Sequence, residues 1–195
     1  LSATEDCSVL TARLLAFSQG DFLEAKVCDV NRLLRETTSF MAEKMGQAVS
    51  LITEVDSSEL FADLDRGQLE SALVNLVLNA RDAMPHGGDL IVKAERYQRS
   101  YSDGTRFSGD DVLTVGVDYV LVSVTDSGEG IGESDLSRVF EPFFTTKDIG
   151  RGSGLGLSMV HGFTEQSKGH CFIRSKIGEG TTVSMFFPEA HGDAR

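Results

Sequence analysis

The sequence predicts an α+β domain, a two-layer α/β sandwich in which helices cover one face of a mixed β-sheet. Three observations predict it. Segments with apolar residues at helical spacing and segments with strict apolar alternation share the chain, so neither an all-α nor an all-β fold fits. The two kinds do not alternate regularly, as a doubly wound parallel sheet would require. The 195 residues, 41% hydrophobic and 25% charged, are enough to bury one core and carry a short appendage.

The elements follow in order. Ala3, Cys7, Leu10, Leu14 and Phe17 recur at steps of four, three, four and three, which is the seam of a helix packing on a partner helix. Gly20-Asp21 ends it. So short a helix needs the following domain or a second chain. Val27-Cys28-Asp29-Val30 reads as a short strand, and Asn31 as the N-cap of a helix reaching about Lys44, with Leu33, Leu34 and Met41 among its apolar positions. Alternation from Val49 to Val55 predicts a strand. Asp65 caps a helix running to about Met84, where Pro85-His86-Gly87-Gly88 stops it. Asp89–Glu95 and Tyr119–Thr125 read as strands. Residues 97–117 between them carry Ser, Asp, Gly and Arg without periodicity and read mostly as a surface excursion. After Gly132 come a helical turn, a loop through Gly152, a helix of about Ser153 to Gln166, and strands near His170–Ser175 and Thr181–Phe187.

Charge and composition exclude some functions. With 18 Lys+Arg against 30 Asp+Glu, the formal charge is -12 and no basic face gathers, so neither nucleic acid nor an anionic membrane surface is an expected partner. An anionic ligand would have to be held by local dipoles, backbone N–H groups and a metal. Cys7, Cys28 and Cys171 are widely spaced without a CxxC pair, which points to neither disulfides nor zinc and to a reducing, cytoplasmic setting. No run approaches the roughly 18–20 apolar residues of a membrane span. The chain begins at Leu1, not Met, which predicts a piece of a longer protein whose remainder could be membrane-anchored.

Four segments carry candidate chemistry. Leu73, Leu76, Val77, Ala80 and Met84 form one stripe of the Asp65 helix, and Asn75, Asn79 and Asp82 share the opposite side. Asparagine is a poor helix former, and its neutral amide oxygen is a hard ligand suited to Mg²⁺; a solvated face is the ordinary alternative. Asp126-Ser127-Gly128-Glu129-Gly130-Ile131-Gly132 follows an apolar strand. A carboxylate there can accept from an exocyclic amine while glycines let a flat base such as adenine approach, though a plain turn looks the same. Arg151-Gly152-Ser153-Gly154-Leu155-Gly156-Leu157 opens a helix, whose N–H groups and dipole favour phosphates. It is neither a Walker loop nor a Rossmann fingerprint. Phe140-Glu141-Pro142-Phe143-Phe144-Thr145-Thr146-Lys147 would anchor a loop by its aromatics and let Lys147 reach a terminal phosphate, unless the phenylalanines are simply core.

In this order the four segments resemble the N-box, first glycine box, F-box and second glycine box of sensor histidine kinase catalytic domains. Leu69 to Met84 is similar to the pattern LExxLxNLxxNAxDAM, and Gly178-Glu179-Gly180-Thr181-Thr182 to GxGTxF, with Val183 where phenylalanine usually stands. The resemblance covers about residues 28–188. It implies the Bergerat ATP fold, with ATP and Mg²⁺ as cofactors. Asn79 would be the principal Mg²⁺ ligand assisted by Asn75, with Asp82 near the base or its waters. Asp126 would read adenine, supported by Gly130 and Thr181, with Gly128 and Ile131 in the same ATP-binding set. Lys147 and the amides of Gly152, Ser153, Gly154, Leu155, Gly156 and Leu157 would meet the phosphates. Asn75, Asn79 and Lys147 are thereby the expected catalytic residues.

The implied reaction is transfer of the γ-phosphate to a histidine on a dimerisation domain, with a response regulator receiver domain downstream and a homodimeric parent. The alternative is a gyrase-like, Hsp90-like or MutL-like ATPase, or a nucleotide-binding scaffold. Those ATPases place a glutamate one turn before the metal-binding Asn, where this chain has Asn75, which cannot take a proton from water. None of His86, His161, His170 and His191 fits the acceptor pattern. Residues 1–20 are therefore expected to be the C-terminal part of a dimerisation helix whose histidine lies upstream. Residues 21–30 would form a linker and first strand, 31–190 the catalytic domain and 191–195 a tail.

Overall fold

The computed structural model describes residues 24–45, 48–99, 113–147 and 152–190. The helix expected over residues 1–20 and the tail 191–195 lie outside them. In chain order the elements are β1 (Lys26–Asp29), α1 (Val30–Met45), β2 (Val49–Val55), β3 (Phe61–Leu64), α2 (Arg66–Asp82), β4 (Gly88–Gln98), β5 (Asp118–Asp126), the single turn α3 (Glu133–Leu136), α4 (Gly156–Gln166), β6 (His170–Lys176) and β7 (Gly180–Pro188). The sheet is mixed, in the order β2-β4-β5-β7-β6, with β2 parallel to β4 and the other pairs antiparallel. β1 and β3 form a separate antiparallel ribbon.

Alternation makes the two layers. Leu90, Val92 and Ala94 of β4, Val120, Val122 and Val124 of β5, and Val183, Met185 and Phe187 of β7 are buried on one face. Leu33, Leu34 and Met41 from α1, the stripe Leu69, Leu73, Leu76, Val77 and Ala80 from α2, and Val160 and Phe163 from α4 complete that core. Burying each Leu or Val contributes about 1.5–3 kcal/mol. The α2 stripe therefore outweighs the several tenths of a kcal/mol that each of Asn75 and Asn79 costs in helix propensity. On the other face Tyr97, Tyr119, Phe172 and Phe186 form an edge-to-face aromatic cluster with buried Leu113.

Local chemistry sets the limits of α2. The Asp65 side chain accepts from the Gln68 N–H at 3.1 Å. At the other end the chain turns through Gly87, at φ 84°, where a Cβ would lie 2.3 Å from the Ala48 carbonyl oxygen.

Several expectations change. Asn31 is not an N-cap: α1 starts one residue earlier, Asp29 Oδ1 accepts from the Arg32 N–H at 3.0 Å, and the Asn31 amide donates to the Asp56 and Ser58 carbonyls. β3 has no counterpart in the sequence reading. It exists because β1 supplies its ladder partner, and Ala190 N–H donates to Phe61 O at 2.8 Å beside it. β4 continues to Gln98, so the excursion is shorter than 97–117, and Leu113 returns into the aromatic cluster. Residues 100–112 lie outside the described residues. α4 begins at Gly156, not Ser153, because Gly154 turns left-handed at φ 66° and seats against the Phe143 backbone.

Candidate functional site

Asp126 ends β5 with a carboxylate that is 9% exposed. Its Oδ1 accepts from the Gly128 N–H at 2.9 Å and the Thr181 N–H at 3.2 Å. Oδ2 has no partner among the described residues, so it is the acceptor left for a ligand donor. Burial pushes the carboxyl above its ordinary range, and the two backbone amides pull part of the way back. Among the described residues it is thus Gly128 and Thr181 whose backbone amides hold the carboxylate.

The glycines of this turn serve the fold. A Cβ on Gly128 would lie 2.5 Å from Ala83 O, on Gly130 (φ 71°) 2.1 Å from Lys176 O, and on Gly180 (φ 100°) 2.0 Å from Asp126 O. They let the turn, the end of α2 and the β6–β7 hairpin pack backbone to backbone. Ile131 N–H donates to Ser175 Oγ at 2.7 Å within the same joint. Gly130→Ala is expected to destabilise by about 2–5 kcal/mol, left-handed strain adding to overpacking. Gly178, at φ 77° with open space around it, should lose only about 1 kcal/mol on the same change. Urea unfolding of both variants measures the difference, and equal losses would refute the packing role.

Asn75 and Asn79 face the start of α4. A Cβ on Gly156 would lie 3.4 Å from Asn79 Nδ2 and 3.9 Å from Asn75 Oδ1. Both asparagines are half-buried, and neither amide is hydrogen-bonded to a described residue. α4 itself carries no side-chain cap, Leu155 occupying that position, so the amides of its first turn are unsatisfied donors beside the Asn75 and Asn79 side-chain amides. Of the expected phosphate set, Leu155 is buried, Leu157 packs on the core, and Ser153 Oγ accepts from Leu155 N–H at 3.4 Å. The two leucines can contribute backbone alone, whereas the Ser153 hydroxyl keeps its own hydrogen to donate. Arg151 lies outside the described residues.

The aromatic segment divides. Phe140 packs on the core and stacks on His161 at 4.8 Å, and Phe144 lies under the Arg138 guanidinium at 4.6 Å. Phe143 is 66% exposed at φ 68°, a left-handed conformation that a bulky residue rarely adopts, held by its N–H donating to Gly154 O at 2.9 Å. So two phenylalanines anchor and one does not. Lys147 reaches Asp82, its Nζ 2.8 Å from Oδ2, while Arg81 holds Oδ1 at 3.0 Å. Burial raises the Asp82 carboxyl, but these two cations outweigh it and hold it below its ordinary value. That pairing is the interaction sequence reasoning missed, and 65 residues separate its partners.

The end of α2, the β5 turn, the start of α4 and the F-box segment thus converge at one end of the sandwich. A cavity of about 180 Å³ lies elsewhere, between α1 and β2, lined by Arg35, Thr38, Ser39, Ala42, Leu51 and Thr53. It holds none of the expected site residues, and its lining has no convergent acids, bases or amides, so volume does not mark the site.

Residues 64–191 match the family model described as histidine kinase-, DNA gyrase B-, and HSP90-like ATPase. The chain is 37% identical over 179 residues to the sensor kinase CckA of Brucella abortus, covering 92% of this chain and 18% of that one. It therefore spans less than a fifth of that relative's length. The catalytic domain of histidine kinase ThkA superposes with a TM-score of 0.66 at 27% identity, covering 85% of this chain and 98% of that one. ThkA in complex with the response regulator TrrA gives 0.69 at 26% identity, covering 96% and 49%.

Proposed function

The chain belongs to the histidine kinase-, DNA gyrase B- and HSP90-like ATPase family, and from that premise we infer that it binds Mg-ATP and passes the γ-phosphate to a histidine on a dimerisation domain. The observation that carries the site is the pair of free amides, Asn75 and Asn79, set against the uncapped start of α4. Backbone N–H groups at a helix start receive phosphate oxygens, and the oxygen of a neighbouring asparagine amide suits a hard cation. Asp126 Oδ2 would accept from the adenine amine, and Lys147 would supply a cation to the terminal phosphate.

The metal set fits a shared ion. Among the described residues no three His, Cys, Asp or Glu side chains are grouped to hold a metal, and two neutral oxygens do not fill an octahedral shell. Asn79 and Asn75 would therefore complete the shell of an ion that arrives with the triphosphate. When bound, Mg²⁺ neutralises charge on the phosphate oxygens. The chain's own residues hold ATP and keep the transferring group oriented, which is most of what phosphoryl transfer asks of a protein.

Hydrolysis is the competing reading. Asn75 stands one turn before Asn79, and as a neutral amide it cannot deprotonate an attacking water, which favours transfer. By analogy with ThkA and its partner TrrA, a response regulator receiver domain would take the phosphate onward. A cytoplasmic setting, a homodimeric parent, and residues 1–20 as the end of a dimerisation helix belong to the same proposal. The chain is to be mixed with a dimerisation domain carrying the acceptor histidine and γ-labelled ATP. Labelled dimerisation domain supports the reading; rapid inorganic phosphate with no labelled protein assigns a hydrolase instead.

A further inference from the structure

Lys147 is expected at a terminal phosphate, yet its ammonium sits on a carboxylate at the end of α2. Asp82 is the last residue of that helix, three residues beyond Asn79 and on the same side. Its two oxygens are used separately, Oδ2 by Lys147 at 2.8 Å and Oδ1 by Arg81 at 3.0 Å. The start of the second glycine segment closes on the same lysine: a Cβ on Gly152 would lie 3.3 Å from Lys147 Cδ and 3.0 Å from Thr145 Oγ1. The lysine stem is thus held between α2 and Gly152, with its charged end beside the Asn79 face.

We propose that Asp82 is a positioning residue that parks the Lys147 ammonium at the edge of the phosphate site until a nucleotide's terminal phosphate takes it over. This rests on the nucleotide reading above. The exchange conserves ion pairing. When Lys147 leaves, Asp82 keeps the Arg81 guanidinium, so no carboxylate is stranded, and Lys147 trades one anionic oxygen partner for another. The pair is about one-third exposed on both sides, and ion pairs so placed add little to stability. Its value lies in where it holds a cation.

Parking also competes with binding, because a lysine paired to Asp82 is not free for phosphate. Releasing it should tighten ATP binding about two- to fivefold, the range set by an ion pair so exposed. The competition involves only a ligand with a phosphate that Lys147 can reach, which separates it from any general effect of Asp82 on folding.

The test is a double-mutant cycle in the full chain with Mg-ATP and with AMP, affinities read by titration calorimetry. The variants are Asp82→Asn, Lys147→Gln and the pair. Asp82→Asn should tighten ATP in the parent background, do nothing once Lys147 is Gln, and leave AMP unchanged. Tightening that persists in the Lys147→Gln background means Asp82 merely repels phosphate, and overturns the proposal. Weakened binding of both nucleotides would place Asp82 at the base or its waters, and overturns it too, as does no effect in either background. If the unaltered chain fails to bind Mg-ATP, the nucleotide reading fails and this proposal with it.

Discussion

Asp126→Asn is expected to weaken ATP binding by about 10- to 100-fold, the 1.5–3 kcal/mol typical of a hydrogen bond to a charged group, with almost no change in unfolding midpoint. The separation follows from how the two oxygens are used. Oδ1 accepts from the Gly128 and Thr181 amides at 2.9 and 3.2 Å, and asparagine can keep its one oxygen there. Nδ2 then stands in place of Oδ2 and presents a donor where the adenine amine also donates. Alanine would be a poorer test, because it orphans both backbone amides and loosens the turn. Calorimetric titration beside a thermal melt measures both effects. An unchanged affinity would move the base away from Asp126.

The same residue carries a pH signature. Burial raises its carboxyl above the ordinary 3.8, with the two amides opposing. An acid whose folded pKa is raised costs the fold its ionised form above that pKa and is relieved below it. Acidification therefore removes binding at this residue while easing its cost to stability. The ratio of parent to Asn-variant affinity cancels the nucleotide's own titration. It should shrink as pH falls, starting above the range of an ordinary aspartate.

What could be read from the chain depended on how far apart the deciding atoms lie in sequence. α2 was legible because its cap, its stripe and its Pro-Gly stop are all local, and the strands of the main sheet were legible from local apolar patterns, alternating in Val49–Val55 and a continuous run before Asp126. β3 is four residues long and exists through its pairing with β1, so nothing within Phe61–Leu64 announces it. Asn31 precedes an apolar run and resembles a cap, but Asp29 reaches the Arg32 N–H first. Ser153 looked like a helix start until the Phe143 backbone, ten positions earlier, imposed the left-handed turn at Gly154. In the site, the residue types were readable and the partners were not. The glycines near Asp126 looked like room for a base, whereas at Gly128 and Gly130 that room is filled by another stretch of backbone. The Asp82–Lys147 pair joins two residues that the sequence reading had assigned to opposite ends of the nucleotide.

Asn79→Ala should cost phosphoryl transfer about 100-fold or more, as expected when one fixed stabiliser of developing charge is removed, and should not lower stability. The two signs together make the result diagnostic. Asn79 is half-buried on α2 with its amide unbonded to any described residue, so truncation strands no partner and opens no apolar cavity. Alanine is the better helix former by several tenths of a kcal/mol, which predicts an unchanged or slightly higher melting temperature. A purely structural asparagine would give the reverse, lower stability with transfer intact. ATP affinity should lose most of its Mg²⁺ dependence while the Asp126 contribution persists, since adenine and metal contacts come from different elements. Asn75→Ala, one turn away and farther from Gly156, should show the same pattern more weakly. Single-turnover transfer to a dimerisation domain and ATP titrations with and without Mg²⁺ measure both variants. If Asn79→Ala left transfer within a few-fold of the parent, the ion would have to be held elsewhere, and the convergence of α2 with the start of α4 would be packing alone.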